Sequence, residues 1–211
     1  GFAAVAYGTH TFENITVQNS KIQGSGKTGG LIGFNGDGAQ IVKNCHVANC
    51  VVESTNPEDG GNIGGLVGFW QCVAGGSSAR EFLFENCSVK ETTINAFNSQ
   101  NAGKRANAEF LGGFKSDTGW TLNIDHCTVA ENTFNETTNG KDDVTYESHY
   151  DGVFVGGDRT GDCLATVIIN GTRYEGKEEP KNVSAEDGEF YATIEDALKA
   201  NNNEVALGDG E

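Results

Sequence analysis

The amino-acid sequence predicts an all-β fold, a right-handed parallel β-helix (solenoid) of about five coils. Two observations lead to this prediction. A short apolar segment with a central Asn recurs along the chain, and a Gly-rich apolar segment follows each of the four clearest copies. The composition agrees, with 30 Gly, 2 Pro and 36% hydrophobic residues. The narrow core of a solenoid needs few apolar side chains for each length of chain.

The first segment of the repeat reads apolar, polar, Asn, apolar, polar, apolar. It occurs at residues 12–17, 42–47, 84–89 and 124–129, with a weaker copy at 168–173. Both apolar residues that flank the Asn can face the core only if the chain bends there. Asn adopts the left-handed conformation more readily than most residues. We therefore expect corners at Asn14, Asn44 and Asn86, with His126 in one coil and amides hydrogen-bonded from coil to coil.

The rest of the repeat supplies further short strands. Another apolar residue follows each corner at Ile22, Val52, Ile94 and Phe134. Gly-rich apolar segments then occur at residues 29–34, 64–69, 110–114 and 153–157. Short alternating segments of this kind are typical of strands. One such unit cannot bury its apolar face alone, so we expect the units to stack on a continuous core.

The sequence divides into two regions. Residues 1–175 are predicted to form the β-helix, and residues 176–211 a C-terminal segment with a short helix at 193–200. The helix is interpreted either as a cap over the terminal core or as the start of a further domain. Residues 1–8 resemble the Gly-rich end of an earlier coil, so we expect the native chain to extend upstream.

Six cysteines are present, and three of them recur at one position of the repeat. Cys45, Cys87 and Cys127 are interpreted as small buried thiols in a stack. The other three are Cys50, Cys72 and Cys163. The sequence leaves open whether any two of these form a disulfide.

The charge balance narrows the classes of partner. With 14 basic and 30 acidic residues, the formal net charge is −16. Nucleic acid is therefore not expected as a partner, because its binding depends on neutralising phosphates with Lys and Arg. An anionic membrane surface is disfavoured for the same reason. No apolar run approaches the roughly 20 residues of a membrane span, so no insertion is expected from this segment.

The segments at 29–34 and 64–69, each followed by an Asn-Cys strand, resemble the GLUG-type repeats of large bacterial surface proteins. The whole pattern is similar to the pectin-lyase-like superfamily of right-handed β-helices. The resemblance covers about residues 1–175 and implies a secreted or cell-surface, adhesin-like protein. It is specific for architecture and weak for function, because this fold carries lyases, hydrolases and passive binding proteins alike.

Four aromatic residues are candidates for binding a ligand: Trp70, Trp120, Tyr146 and Tyr150. They follow or interrupt the Gly-rich segments, near predicted loops. Exposed together, they would stack on sugar rings. The alternative is that these side chains pack in the core or at a corner, which is the commoner role of such aromatics.

No catalytic or metal-binding residues are predicted. Asp142-Asp143 is the only pair of adjacent Asp residues and is expected in a solvated loop. The four His are scattered, without the Cys/His spacing of a zinc site. Three turn-like segments, at 35–38, 57–60 and 157–162, offer oxygen ligands of the kind that calcium prefers. Turns favour the same residues without metal, so no cofactor is expected and calcium is the alternative.

The leading functional hypothesis is a non-enzymatic extracellular protein that displays loops for a glycan or for a host or bacterial surface protein. Two alternatives stay open. One is a polysaccharide lyase or glycoside hydrolase of the same fold, which would need convergent acidic residues in one cleft. The other is a structural stalk, against which the long insertions at 97–109 and 135–150 argue.

Overall fold

The computed structural model describes residues 1–36, 40–56, 61–71, 81–98, 107–115, 120–138, 150–157, 165–175, 183–184 and 190–191. The fold is all-β, with sheets of parallel strands. The predicted helix at 193–200 lies outside the described residues, as does most of the segment 176–211. The domain boundary at residue 175 stays a prediction.

Four sheets are each built from equivalent strands of successive repeats, in chain order. Sheet A contains β1 (Ala3–Tyr7), β6 (Ile32–Gly36), β11 (Val67–Gln71) and β15 (Leu111–Lys115). Sheet B contains β2 (His10–Glu13), β7 (Gln40–Lys43), β12 (Glu81–Glu85), β16 (Thr121–Asp125), β19 (Thr166–Ile169) and β20 (Thr172–Glu175). Sheet C contains β3 (Thr16–Gln18), β8 (His46–Ala48), β13 (Ser88–Lys90) and β17 (Thr128–Ala130). Sheet D contains β4 (Lys21–Gly24), β9 (Val51–Ser54), β14 (Thr93–Asn98) and β18 (Thr133–Thr138).

Two smaller sheets complete the described strands. Sheet E pairs β5 (Thr28–Gly29) in parallel with β10 (Ile63–Gly64). A short antiparallel pair joins β21 (Val183–Ser184) to β22 (Phe190–Tyr191).

The strand register places equivalent residues of successive repeats side by side. In sheet B the column runs through Phe12, Val42, Phe84, Ile124 and Ile169. Phe12 is partly buried and the other four are buried. The residues at which the chain enters sheet C pack on the same core: Ile15, Cys45, Cys87 and Cys127. The prediction that both flanks of the corner face inward is confirmed.

The paired glycines of the repeat allow two strand layers to approach closely. A Cβ atom on Gly68 would lie 2.5 Å from the backbone nitrogen of Thr28 and 2.7 Å from the carbonyl oxygen of Gly33. Backbone atoms at these distances cannot move aside as a flexible side chain would. Gly68 in β11 therefore lets β5 lie against sheet A, which explains why Gly recurs in this segment.

The fifth copy of the repeat departs from the other four. Asn170 and Gly171 both have positive φ, 45° and 89°, and β20 returns antiparallel to β19. Positive φ at both central residues is the requirement of a two-residue type I′ hairpin, which favours Asn-Gly. The strand register pairs Ile169 with Ile124, so Gly171 stands at the corner position that Asn or His occupies in the other copies. The fifth copy therefore forms a hairpin and does not enter sheet C.

Candidate binding surface

Two of the four junctions between the sheets are fixed in length. Between sheets B and C a single residue turns the chain with left-handed φ: Asn14 (58°), Asn44 (50°), Asn86 (52°) and His126 (51°). The predicted corners are confirmed. A second column, between sheets C and D, consists of Asn19 (52°), Asn49 (50°), Glu91 (49°) and Glu131 (57°). Sequence reasoning missed this second column, although its residues follow the first corner at a constant interval of five positions.

Amide side chains connect the fixed corners from one repeat to the next. Asn44 Nδ2 donates to Asn14 Oδ1 at 3.2 Å, and Asn86 Nδ2 donates to Asn44 Oδ1 at 2.7 Å. At the second corner Asn49 Nδ2 donates to Asn19 Oδ1 at 2.6 Å. Each of these Asn thus adopts the left-handed backbone conformation, and its amide is hydrogen-bonded to the equivalent Asn of a neighbouring repeat. This was predicted for the first column.

The other two junctions vary in length. Between sheets A and B the connecting residues are 8–9, 37–39, 72–80 and 116–120. From sheet D to the next Gly-rich segment they include 25–27, 55–62 and 99–107. Insertions therefore accumulate at two places in the repeat, while the Asn corners tolerate none. Tyr146 and the Asp142-Asp143 pair belong to 139–149, which lies outside the described residues, as do Cys72 and Cys163.

The predicted aromatic binding site is not formed by the residues that the structure describes. Trp70, Trp120 and Tyr150 are only 1%, 3% and 6% exposed. The Trp120 ring stacks on Phe82 at 4.8 Å, and Trp70 contacts the same ring edge-on at 4.6 Å. All three side chains belong to the buried core, and Trp70 shares an inward column with Asn35 and Phe114. They are not available for stacking on a sugar.

Both indole nitrogens are buried without a hydrogen-bond partner among the described residues. An unsatisfied buried donor costs about 1–3 kcal/mol. The apolar area of a Trp ring offsets that cost by being removed from water. Both tryptophans therefore contribute packing volume, and neither indole nitrogen has a hydrogen-bond partner in the described part of the chain.

The exposed aromatic surface lies elsewhere, on sheet A. Tyr7 is 62% exposed, and its ring contacts Phe34 edge-on at 5.5 Å. Phe34 in turn stacks on Phe69 at 6.0 Å, and the ammonium of Lys27 lies 4.1 Å from the Phe34 ring centre. Sequence reasoning missed this cluster, because residues 1–8 were interpreted only as the end of a coil.

The thiols that follow the first corner form a buried column. Cys45, Cys87 and Cys127 are free, and so is Cys50, which occupies the equivalent place after the second corner. The hydrogen bond with Cys87, together with burial, raises the pKa of Cys45. The bond with Cys127 raises the pKa of Cys87 to about 12, and the same contact lowers the pKa of Cys127. Cys50 is therefore a free thiol in this structure, while Cys72 and Cys163 lie outside the described residues.

Polar side chains of sheet C pair between neighbouring strands, as His46 and Ser88 do. His46 is half-buried, and its Nδ1 lies 2.9 Å from Ser88 Oγ in sheet C. Within the described ranges no group of three or more His, Cys, Asp or Glu could hold a metal ion. The three turn segments considered for calcium fall wholly or partly outside those ranges.

Comparison of the chain with protein-family models, with curated proteins and with solved structures gave no match. Among the described residues no helix is long and apolar enough to cross a membrane.

Proposed function

We propose that the chain is a non-catalytic extracellular scaffold, adhesin-like, that displays loops for a glycan. In this proposal the stacked sheets are a right-handed parallel β-helix of about five coils, built of GLUG-like repeats on the pectin-lyase-like pattern. The protein would be secreted or attached to a bacterial cell surface. A protein partner on a host or bacterial surface is the alternative ligand for the same loops.

One observation carries the proposal. Variation in length is concentrated at the junctions after sheets A and D, whereas both Asn corners keep one residue in every described copy. A scaffold that presents recognition loops needs a constant framework with tolerant insertion sites, since binding residues are disproportionately on loops. A simple spacer would have no use for insertions as unequal as 37–39 and 72–80.

The charge supports the choice of partner. A formal charge of −16 keeps an exposed protein soluble and repels polyanions such as nucleic acid. Neutral glycans carry no charge to repel, and they offer hydroxyl groups to the many amide side chains on the surface. We therefore place a neutral glycan first among the ligands.

The test is a screen of the whole chain against a broad glycan array, with and without calcium, while released product is measured in parallel. Two variants replace residues 99–106 or 139–149 by a short Gly-Ser linker. The matched control is Lys90→Ala, an exposed residue of sheet C that belongs to neither insertion. Circular dichroism confirms that each variant is folded.

Saturable binding without product, lost in at least one loop variant and kept in Lys90→Ala, is the expected result. Release of product would favour the lyase or hydrolase alternative. If no glycan on the array binds, glycan recognition is rejected and protein partners become the next ligands to test.

A further inference from the structure

Three thiols stack directly behind the first corner, in successive repeats. Ser88 N donates to Cys45 O at 3.1 Å, and Thr128 N donates to Cys87 O at 2.9 Å, so these Cys occupy one position of adjacent strands. The side chains of Cys45, Cys87 and Cys127 are only 0%, 1% and 2% exposed. The thiol of Cys87 is a hydrogen-bond neighbour of the other two. Cys87 is therefore shared by two pairs of thiols.

Packing alone does not require sulfur at this position. The first repeat has Ile15 there, half-buried against the same core. After the second corner the equivalent position holds Ser20, Cys50, Thr92 and Asn132. In that column Cys50 N donates to Thr92 Oγ1 at 3.4 Å, and Thr92 N donates to Asn132 Oδ1 at 2.9 Å. The need for a small buried side chain therefore does not explain three sulfurs in succession.

The thiols have only sulfur and backbone atoms as polar neighbours in the column. Cys87 Sγ donates to Val42 O at 3.3 Å, and Cys127 Sγ accepts from Cys87 N at 3.3 Å. Beyond Cys127 the column ends at Asn170, whose side chain bonds to the backbone N and O of Cys127. In the described part of the chain no three His, Cys, Asp or Glu are grouped so as to hold one ion. The donor set is therefore two sulfurs at a time.

We propose that the column of Cys45, Cys87 and Cys127 binds Cu(I) in linear two-coordinate sites, one ion between each neighbouring pair of sulfurs. Soft thiolate ligands select Cu(I) among the transition metals. Two metal–sulfur bonds of about 2.3 Å in line span about 4.6 Å, and neighbouring strands lie about 4.8 Å apart. A Zn²⁺ ion would need a tetrahedral set of ligands, which a single column of side chains does not supply.

Binding exchanges thiol protons for metal ions, without any transfer of electrons. Two Cu(I) ions displace the protons of the three thiols, which leave to solvent, because metal-bound sulfur must be thiolate. The Cys87 sulfur then bonds to both ions, and the filled column carries one negative charge. The N–H of Cys87, 3.3 Å from Cys127 Sγ, donates a hydrogen bond to that thiolate.

Bound copper would link successive repeats through the core. Each ion bonds to sulfurs of two neighbouring coils, so the filled column joins three repeats. A ligand that binds only the folded chain raises its stability by mass action, and the loaded protein should melt at a higher temperature. This site is independent of the proposed glycan-binding function, since its residues are buried and belong to neither variable junction.

The experiment supplies Cu(I) without oxygen to the whole chain carrying Cys72→Ser and Cys163→Ser. The ion is added once to the folded protein and once during refolding from urea, because the thiols are buried. Native mass spectrometry counts the bound ions, and competition with the Cu(I) chelator bathocuproine disulfonate gives the affinity. Cys87→Ser, Cys45→Ala and Cys127→Ala are compared with Cys50→Ser. The last is the matched control, because Cys50 is a buried thiol between Ser20 and Thr92 in its column.

Two ions per chain are expected in the starting protein and in Cys50→Ser. Cys87→Ser should bind neither ion, because the remaining sulfurs are two strands, about 10 Å, apart. Cys45→Ala and Cys127→Ala each keep one pair of thiols and should keep one ion. These two variants test the proposal even if Cys87→Ser does not fold, which circular dichroism reports.

Three results would overturn the proposal. One is the absence of bound copper after both loading procedures. Another is the loss of an ion in Cys50→Ser, or the retention of both ions in Cys87→Ser. The third is a disulfide between two of the thiols in place of copper, seen as the loss of two hydrogen atoms in the mass. None of these results bears on the glycan screen, which is carried out without copper.

Discussion

Asn86 Nδ2 donates a 2.7 Å hydrogen bond to Asn44 Oδ1, and the two residues occupy the same corner of successive repeats. Both have left-handed φ, at 52° and 50°. The side chain that makes the strained backbone tolerable is therefore also the one that joins one repeat to the next. Conformation and stacking depend on the same amide, and this dependence can be tested by substitution.

Replacement of Asn44 separates these two contributions. Asn44→Ala should lower the free energy of unfolding by about 2–3 kcal/mol, since it loses the amide bonds and places a less tolerant residue at positive φ. Asn44→Gly keeps the conformation accessible and should cost about 1 kcal/mol. Urea unfolding measures both variants. Equal losses in Ala and Gly would contradict the conformational part of this account.

Replacement of Glu91 is expected to stabilise the folded protein. Glu91 adopts φ of 49° at the second corner, next to Asn49 in the preceding repeat. Glu91→Asn should raise the free energy of unfolding by about 1 kcal/mol, because Asn is better suited to the left-handed region. The new amide would also extend the hydrogen bond between Asn49 and Asn19. Thermal unfolding gives the measurement, with the exposed Lys90→Asn as the control that should not gain stability.

Gly68 should not tolerate a methyl group. Gly68→Ala directs Cβ at the backbone of Thr28 and Gly33 and should destabilise by about 3 kcal/mol or more. Gly26 is the matched control, because a Cβ there meets nothing within 4 Å. Gly26→Ala should be neutral or slightly stabilising. Comparable losses in the two variants, measured by urea unfolding, would show that the close approach of the layers is not the cause.

The buried thiols should resist alkylation while the protein is folded. Burial and the raised pKa of Cys45 and Cys87 keep both as unreactive thiols near pH 8, since the thiolate is the nucleophile. A variant with Cys72→Ser and Cys163→Ser leaves only the four described cysteines to report. Mass spectrometry after iodoacetamide treatment should find these four unmodified without urea and fully modified in urea. Rapid labelling of Cys87 in the folded state would contradict its burial.

Stability should fall at acidic pH through Glu53. Hydrogen bonds from Gln23 and Lys21 lower the pKa of Glu53 below its ordinary value. Its contribution is therefore present above the unfolded pKa, about 4.3, and is lost as the pH falls through the lower folded value. Glu53→Gln should melt below the wild type at pH 7, and the difference should shrink at pH 3. A difference that does not change with pH would argue against this ionisation.

The repeat made much of this fold predictable. Val42, Phe84 and Ile124 are buried as the pattern requires, and the corner residues have the expected conformation, because both features follow from local alternation and the tolerance of Asn. The pattern could not place Trp70. Phe69 and Trp70 are consecutive and only 0% and 1% exposed, so both sides of this strand are covered. Alternation identifies an inward side only where the other side meets water.

The fifth repeat was misread for a different reason. Residues 168–173 align with the other copies in sequence, but the strand register places this copy one residue later, with Ile169 beside Ile124. Asn170-Gly171 is itself a strong signal for a hairpin. The sequence alignment predicted another copy of the repeat. The positive φ that Gly171 adopts instead allows a hairpin, in which β20 returns antiparallel to β19. The position of the Tyr7 ring depends on Gly36, which is 29 positions away in the chain and adjacent only through the strand register.

The hairpin at Asn170 has a consequence for assembly. The last strand of sheet B, β20, runs opposite to the five strands before it and carries the Arg173–Glu175 ion pair. Another strand of the same repeat and direction would meet it antiparallel, with a different spacing of hydrogen bonds from the parallel ladder. Reversal of direction and added charge both make that edge a poor template for accretion of other chains. We therefore expect this border of the described part of sheet B to resist pairing with other chains.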